Sequence, residues 1–224
     1  MLILDKPAGV AVHRHPKGGP SLEDGFASLR FGLPRDPGLA HRLDRDTSGC
    51  LILGRHRKAL EKLGTLFKQR AIGKAYWAIV AGQPAQDEGF IDLPLGTLEP
   101  GRGWWMKVDP AGQPSQTKWR VCGRMDGFAW LELEPLTGRT HQLRVHCAAM
   151  GWPIVGDRVY GTVDPAHSLQ LHAREVTVPL YRNKDVISAR APPPGHMLEL
   201  LAGCGWRDVP EAADLPEAAA PPAR

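Results

Sequence analysis

Nine residues, 41–49, read HRLDRDTSG. They set a histidine, two arginines and two aspartates ahead of three small, turn-capable residues, and the apolar run CLIL follows at 50–53. A charged loop running straight into a short apolar strand is a common way to hold a reactive group on a rigid support. Asp44 and Asp46 share a face if the segment is extended and need not do so on a turn. Carboxylate pairs that work as acid and base normally come from separate elements. Without partners, the segment reads equally as a salt-bridged loop. A second dense cluster, LTGRTHQLRVH at 136–146, stands at the start of a helical pattern. Helix N-termini and arginines suit phosphate or carboxylate. The same residues would also serve as the exposed cationic face of an amphipathic helix.

Other chemistries find little support. His13 and His15 form an HxH, but His141 and His146 are five apart and miss the i,i+4 stacking of helical metal ligands. No metal site is expected. There is no GxSxG, no GxxxxGK[ST] and no GxGxxG, so neither a nucleophile elbow nor a nucleotide cradle is visible. HRLD at 41–44 superficially matches a kinase catalytic loop, but the rest of that signature set is missing. Cys50, Cys122, Cys147 and Cys204 are scattered without a CxxC pair and read as buried thiols in a reducing compartment.

These residues need elements to position them. The chain has 224 residues, 42% apolar and 23% charged, with a formal charge of +4, the composition of an ordinary globular protein with room for a core. Residues 209–224 hold three acids against one arginine, so the body of the chain is more basic than the whole. That suits a polyanionic partner without establishing one. No apolar run approaches the ~20 residues of a membrane span. The N-terminus lacks a basic leader and a long apolar stretch, which points to the cytoplasm.

The pattern predicts strands at 2–4, 50–53, 74–80, 90–95 and 169–180. It predicts a hairpin from 117–122 and 128–134 around Met125-Asp126-Gly127. It predicts helices at 21–29, capped by Ser21, at 59–67, and at 141–150, capped by Thr140. Residues 99–114, rich in Gly and Pro with Trp104 and Trp105, read as a long excursion. Strands in runs with irregularly placed helices favour an α+β fold with a mixed, mostly antiparallel sheet. Residues 1–208 are read as one domain and 209–224 as a disordered tail.

HRLDRDTSG at 41–49, KAYWAIV at 74–80 and GRTHQLRVH at 138–146, with DKPAG at 5–9 and GDRVYG at 156–161, resemble the RluA-type family of RNA pseudouridine synthases. The resemblance spans most of the chain, from about residue 4 to about residue 191. It implies the pseudouridine synthase catalytic fold with a central cleft. It also implies isomerisation of a uridine in structured RNA, a ribosomal or transfer RNA stem-loop, by a cofactor-independent monomer. It makes Asp44 the nucleophile, Arg144 its partner and Tyr76 the residue against the target base. Arg42 would fill the space of the extruded nucleotide. Leu143 would pack near the site, while Arg139 and His141 would position the loop or touch phosphate. Attack on the sugar, attack on the base and elimination to a glycal all fit one aspartate. Relatives often carry extra N-terminal residues and an S4 RNA-binding domain. Here four residues precede Asp5, so substrate choice is expected to rest on the catalytic domain, with Trp104, Trp105 and the basic helix at 55–70 as candidate RNA contacts.

Overall fold

The computed structural model describes residues 1–14, 19–98, 105–162 and 164–208. Its centre is a nine-stranded mixed sheet. The main path runs β1 (Leu2–Lys6), β3 (Ser48–Gly54), β10 (Leu171–Val178), β4 (Gly73–Ala81), β9 (Phe128–Pro135), β8 (Gln116–Met125), β5 (Glu88–Asp92). The short strands β2 (Gly38–Leu39) and β11 (Ile187–Arg190) pair with β3 and β10. Every ladder is antiparallel except β3–β10, whose parallel register holds only His172 opposite Ser48 and Ala173 opposite Gly49. This is the expected α+β class.

Strand alternation sorts the core into two faces. On β4, Ala78 and Val80 pack with Leu131, Leu133, Leu143 and Cys147 under helix α2 (Gln142–Ala149). Ile79 turns the other way, onto Met197, Leu200 and Leu201 around helix α3 (Leu198–Gly203), with Trp77 and Trp130 in edge contact. On β3, Cys50 and Ile52 meet Leu63 of helix α1 (Arg57–Lys68), whereas Leu51 and Leu53 meet Phe26. A cleft lies on the α2 side, where Tyr76 joins the Leu43 cluster to the Leu143 cluster.

Several local expectations needed correction. The 21–29 helix forms at Leu22–Leu29 as a 3₁₀ helix, with the Asp24 carboxylate accepting the Ser21 backbone N–H at 2.8 Å. The 90–95 run is cut by Pro94, which has no N–H to give a ladder. Chain pairing resumes as a separate ribbon of β6 (Leu95–Thr97) and β7 (Met106–Val108). Thr140 does not cap α2. His141 takes that position in the left-handed region at φ 52. The hairpin closes on the two-residue turn Asp126-Gly127, with Gly127 at φ 72. Trp104 and the 209–224 tail lie outside the described residues. Of the cysteines, Cys50, Cys147 and Cys204 are buried, Cys122 is partly so, and all four are free.

Gly49 is where the two arms of the sheet touch. It sits at φ 103, and a Cβ there would lie 2.2 Å from the Ala173 carbonyl oxygen. Gly49→Ala combines left-handed strain with a backbone clash, and is expected to cost about 2–5 kcal/mol. Urea unfolding checks this: the midpoint should fall at unchanged m. A wild-type midpoint would mean that the β3–β10 junction tolerates a Cβ.

Candidate active site

The 41–49 loop is fastened from beneath. Lys6 is fully buried at the end of β1, and its ammonium donates to the carbonyls of Pro7, Val10 and Arg45 at 2.8, 2.9 and 2.9 Å. Burial lowers its pKa to about 8, against the pull of Asp46 and Asp44, so it is charged at neutral pH. The Gly9 N–H also donates to the Arg45 carbonyl, and Arg45 Nε returns a bond to the Gly9 carbonyl at 3.0 Å. His41 accepts the Ile52 N–H on Nε2 at 2.9 Å. Burial, then the nearby Lys74, push this imidazole down to about 4, which keeps it the neutral acceptor that the bond requires. Leu43 and Thr47 are buried on either side of Asp44, and the Thr47 N–H closes a turn onto the Asp44 carbonyl. Asp44 keeps 23% of its side chain exposed, facing a pocket of about 370 Å³.

The opposite wall comes from the 136–146 segment. Gln142 is buried with its whole amide engaged. Its oxygen accepts from Thr137 Oγ1 and the Arg139 N–H, and its NH₂ donates to the Gln116 carbonyl and Thr117 Oγ1. These bonds lace the 137–139 loop to β8. His146, one helical turn on, lies between Thr117 Oγ1 at 2.9 Å and the Leu93 carbonyl at 3.1 Å. Arg144 then projects into the cleft at 9% side-chain exposure. Its Nε and Nη2 donate to both oxygens of Asp157, which has no exposure, at 2.8 and 2.7 Å. Burial alone would raise the Asp157 pKa, but the Arg144 bonds and charge, with the Val159 and Tyr160 N–H groups, outweigh it and hold the carboxyl below the usual range. The remaining Nη1 of Arg144 stands 3.8 Å from Asp44 Oδ2.

His141 approaches the same oxygen, Nε2 to Oδ2 at 3.7 Å. Burial lowers its pKa, and Arg144 and Arg42 add to that effect against Asp44 and Asp157, so the ring is neutral. The Tyr160 hydroxyl accepts the Met106 N–H at 2.9 Å and lies 2.7 Å from His141 Nδ1. With the phenol proton assigned to Nδ1, the imidazole proton sits on Nε2 and faces Asp44. Tyr76 reaches the pocket from β4, and burial, Asp44 and Cys50 all raise its pKa, so it is a neutral phenol.

All seven side chains picked from sequence line this one pocket: Arg42, Asp44, Tyr76, Arg139, His141, Leu143 and Arg144. Arg42 is exposed, Arg139 is half-buried with Nε on the Pro114 carbonyl at 3.3 Å, and Leu143 belongs to the core. Asp46 is exposed and does not line it. Asp157, Tyr160, Lys6 and Lys74 had no role in the sequence reading. The first two lie within GDRVYG at 156–161, so the motif was visible although the pairing of Asp157 with Arg144 was not. Among the described residues, no three His, Cys, Asp or Glu side chains are grouped to hold a metal ion, and no helix is long and apolar enough to cross a membrane.

The chain is similar to known proteins over most of its length. The family described as RNA pseudouridylate synthase matches residues 1–149. An uncharacterized RNA pseudouridine synthase of Zymomonas mobilis is 43% identical over 203 residues, covering 89% of this chain and 92% of that protein. The ribosomal large subunit pseudouridine synthase C of Vibrio parahaemolyticus is 39% identical over 164 residues, 72% of this chain and half of that protein. Among solved structures, human RNA Pseudouridylate Synthase Domain Containing 4 superposes with a TM-score of 0.76 at 25% identity, covering 90% of this chain and 88% of the other.

The Arg144–Asp157 pair makes a stability prediction. Asp157→Ala leaves a buried guanidinium uncompensated and should cost about 3–5 kcal/mol in urea unfolding at neutral pH. Because the folded pKa of Asp157 is lowered, its contribution is present above the unfolded value of about 3.9 and is lost as pH falls through the folded value. The gap between wild type and variant should therefore narrow below about pH 4. A gap that is small at neutral pH, or unchanged in acid, would show that the pair does not hold the site.

Proposed function

Because the chain belongs to the RNA pseudouridylate synthase family, isomerases that act on RNA, we propose that Asp44 is the nucleophile that isomerises a uridine extruded from a structured RNA into this pocket. The observation that carries the reading is the placement of Asp44. It is the carboxylate that the 41–49 loop presents to the pocket, with Arg144 and His141 at 3.8 and 3.7 Å from one of its oxygens. Neither contact is close enough to consume that oxygen in a short hydrogen bond. The carboxylate is thus held near a cation and a donor while remaining free to form a transient bond. The pocket's volume falls in the ~300–1,000 Å³ range of small-ligand sites, enough for one flipped nucleotide.

The reaction breaks the bond from ribose C1′ to uracil N1 and forms one from C1′ to C5. The C5 proton leaves and N1 takes one up. Atoms and electrons balance within the substrate, so the chemistry calls for no redox partner or group donor. Arg144 and His141 stabilise the anionic form of Asp44 before attack and again when it departs. Tyr76 offers a ring to the uracil and a hydroxyl to the proton transfer. Its proton is held on partly by the Asp44 charge. Arg42, exposed at the rim, suits the gap that the flipped base leaves. The ribosomal name of the Vibrio relative favours ribosomal RNA as the substrate over a transfer RNA stem-loop.

Tritium release from unmodified ribosomal RNA labelled at uracil C5 reads the departing proton whichever carbon Asp44 attacks. Asp44→Asn should lower release by more than about a thousand-fold with little change in unfolding midpoint. Retained turnover in that variant would remove the nucleophile assignment. Tyr76→Phe keeps the ring and loses the hydroxyl, and is expected to slow release by about 10²–10⁴-fold while RNA binding persists. A wild-type rate would leave the tyrosine only a packing role.

A further inference from the structure

Beside the active-site pocket lies a second, wider groove of about 900 Å³. The two share a wall formed by Phe67, Lys74, Pro135, Thr137, Gly138 and Arg139. The sheet itself makes the opening. The β4–β9 ladder stops at Tyr76 opposite Leu133, while β8 and β9 stay paired out to Thr117 opposite Pro135. β9 therefore parts from the first residues of β4, which pair only with β10 at Glu175, Val176 and Thr177. Lys74 stands at that split, two positions before Tyr76, so that the two side chains line the same pocket.

Lys74 is half-buried, and among the described residues it has neither an ion pair nor a hydrogen bond. Its stem is covered while the ammonium itself opens onto the groove, where an anion can reach it. Burial lowers its pKa to about 8, so it carries its charge at neutral pH without a counter-charge. The groove's carboxylates do not answer it: Glu132 is taken by Arg120 at 2.8 Å and Glu175 by Arg190 at 2.8 Å, while Glu134 is exposed. Lys68, Arg70 and Arg139 add positive charge to the same groove.

We infer that this groove carries the RNA backbone flanking the target uridine, and that the Lys74 ammonium binds a phosphate at the opening between groove and pocket. The inference rests on the proposed action on RNA, and assigns to that site the path of the neighbouring strand. A phosphate at Lys74 would fix the strand next to the nucleotide offered to Asp44. Lys74 is then a positioning residue, acting through the RNA backbone rather than on the reacting atoms.

The test reads binding and turnover separately. The binding probe is a fluorescein-labelled RNA stem-loop with a uridine loop, titrated by anisotropy across a range of salt. Lys74→Met should weaken binding by about ten-fold near physiological salt, a loss on the scale of one charge-assisted hydrogen bond. It should also flatten the slope of log K against log salt by about 0.7, one phosphate contact on a single strand. Lys74→Arg should restore most of both. Turnover at saturating RNA should stay within about two-fold. Glu134→Gln, at an exposed position, should tighten binding and so test the groove without touching the core. Unchanged affinity and slope in Lys74→Met would overturn the inference. So would lost turnover at unchanged affinity, because Lys74 would then act in the chemistry. A wild type that binds the stem-loop but releases no tritium would sink the proposed function instead, and the salt slope of Lys74→Met would still decide the groove.

Discussion

A guanidinium gripped at two points by a carboxylate with no exposure fixes the cleft. Arg144 comes from α2, and Asp157 from the loop that leads toward β10. Burying both ions carries a desolvation cost of several kcal/mol each, repaid only by close geometry and by the extra N–H groups of Val159 and Tyr160 on Asp157. A surface pair would be cheaper and looser. What the burial secures is direction: with Nε and Nη2 committed, the third nitrogen can only point at Asp44. The same loop supplies Tyr160, which orients His141 toward that oxygen. One buried pair thus sets the distance of both neighbours from the Asp44 carboxylate.

The GRTHQLRVH segment divides its labour by helical position. Gln142 and His146, four apart, face β8 and spend their polar capacity on Thr117, Gln116, Thr137, Leu93 and the Arg139 N–H. Leu143 and Cys147, again four apart, enter the core. His141 and Arg144, three apart, are left for the cleft. The left-handed backbone at His141 belongs to this arrangement. It turns the chain from the loop into the helix where a normal cap would have aimed that ring elsewhere, the kind of local strain that collects at functional sites.

The residues that line the pocket beside Asp44 were legible in sequence, because their types are rare in such dense clusters and their motifs recur in order. The fold class was legible from alternation and turn signals. Less visible was what each charge does to its neighbours. Asp157 reads as one more loop acid until α2 brings Arg144 against it. Lys6 and Lys74 carry no local mark of what they do. One is fully buried on three carbonyls, and the other stands unpaired at a split in the sheet. Thr140 looked like a cap because capping is a local rule, and the Gln142 network overrode it. Pairings set by tertiary contact have no local signature, so these were the readings that needed the structure.

The way Lys6 is satisfied explains how the loop can be rigid and the Asp44 carboxylate still available. Three carbonyl dipoles take the three ammonium protons, so the lysine needs no carboxylate of its own. Had Asp44 supplied that partner, the loop would be fixed just as well, but its oxygens would be tied in a short charge-assisted bond. Carbonyls fix the backbone at Arg45, one residue past Asp44, and leave the side chain alone. The lysine's charge still acts on Asp44 and Asp46 through space, as their reciprocal pull on its pKa shows. Position is therefore set through the main chain, while the charges of Lys6 below and Arg144 across the cleft stay at arm's length from the carboxylate. That separation is what lets one carboxylate be both well placed and uncommitted.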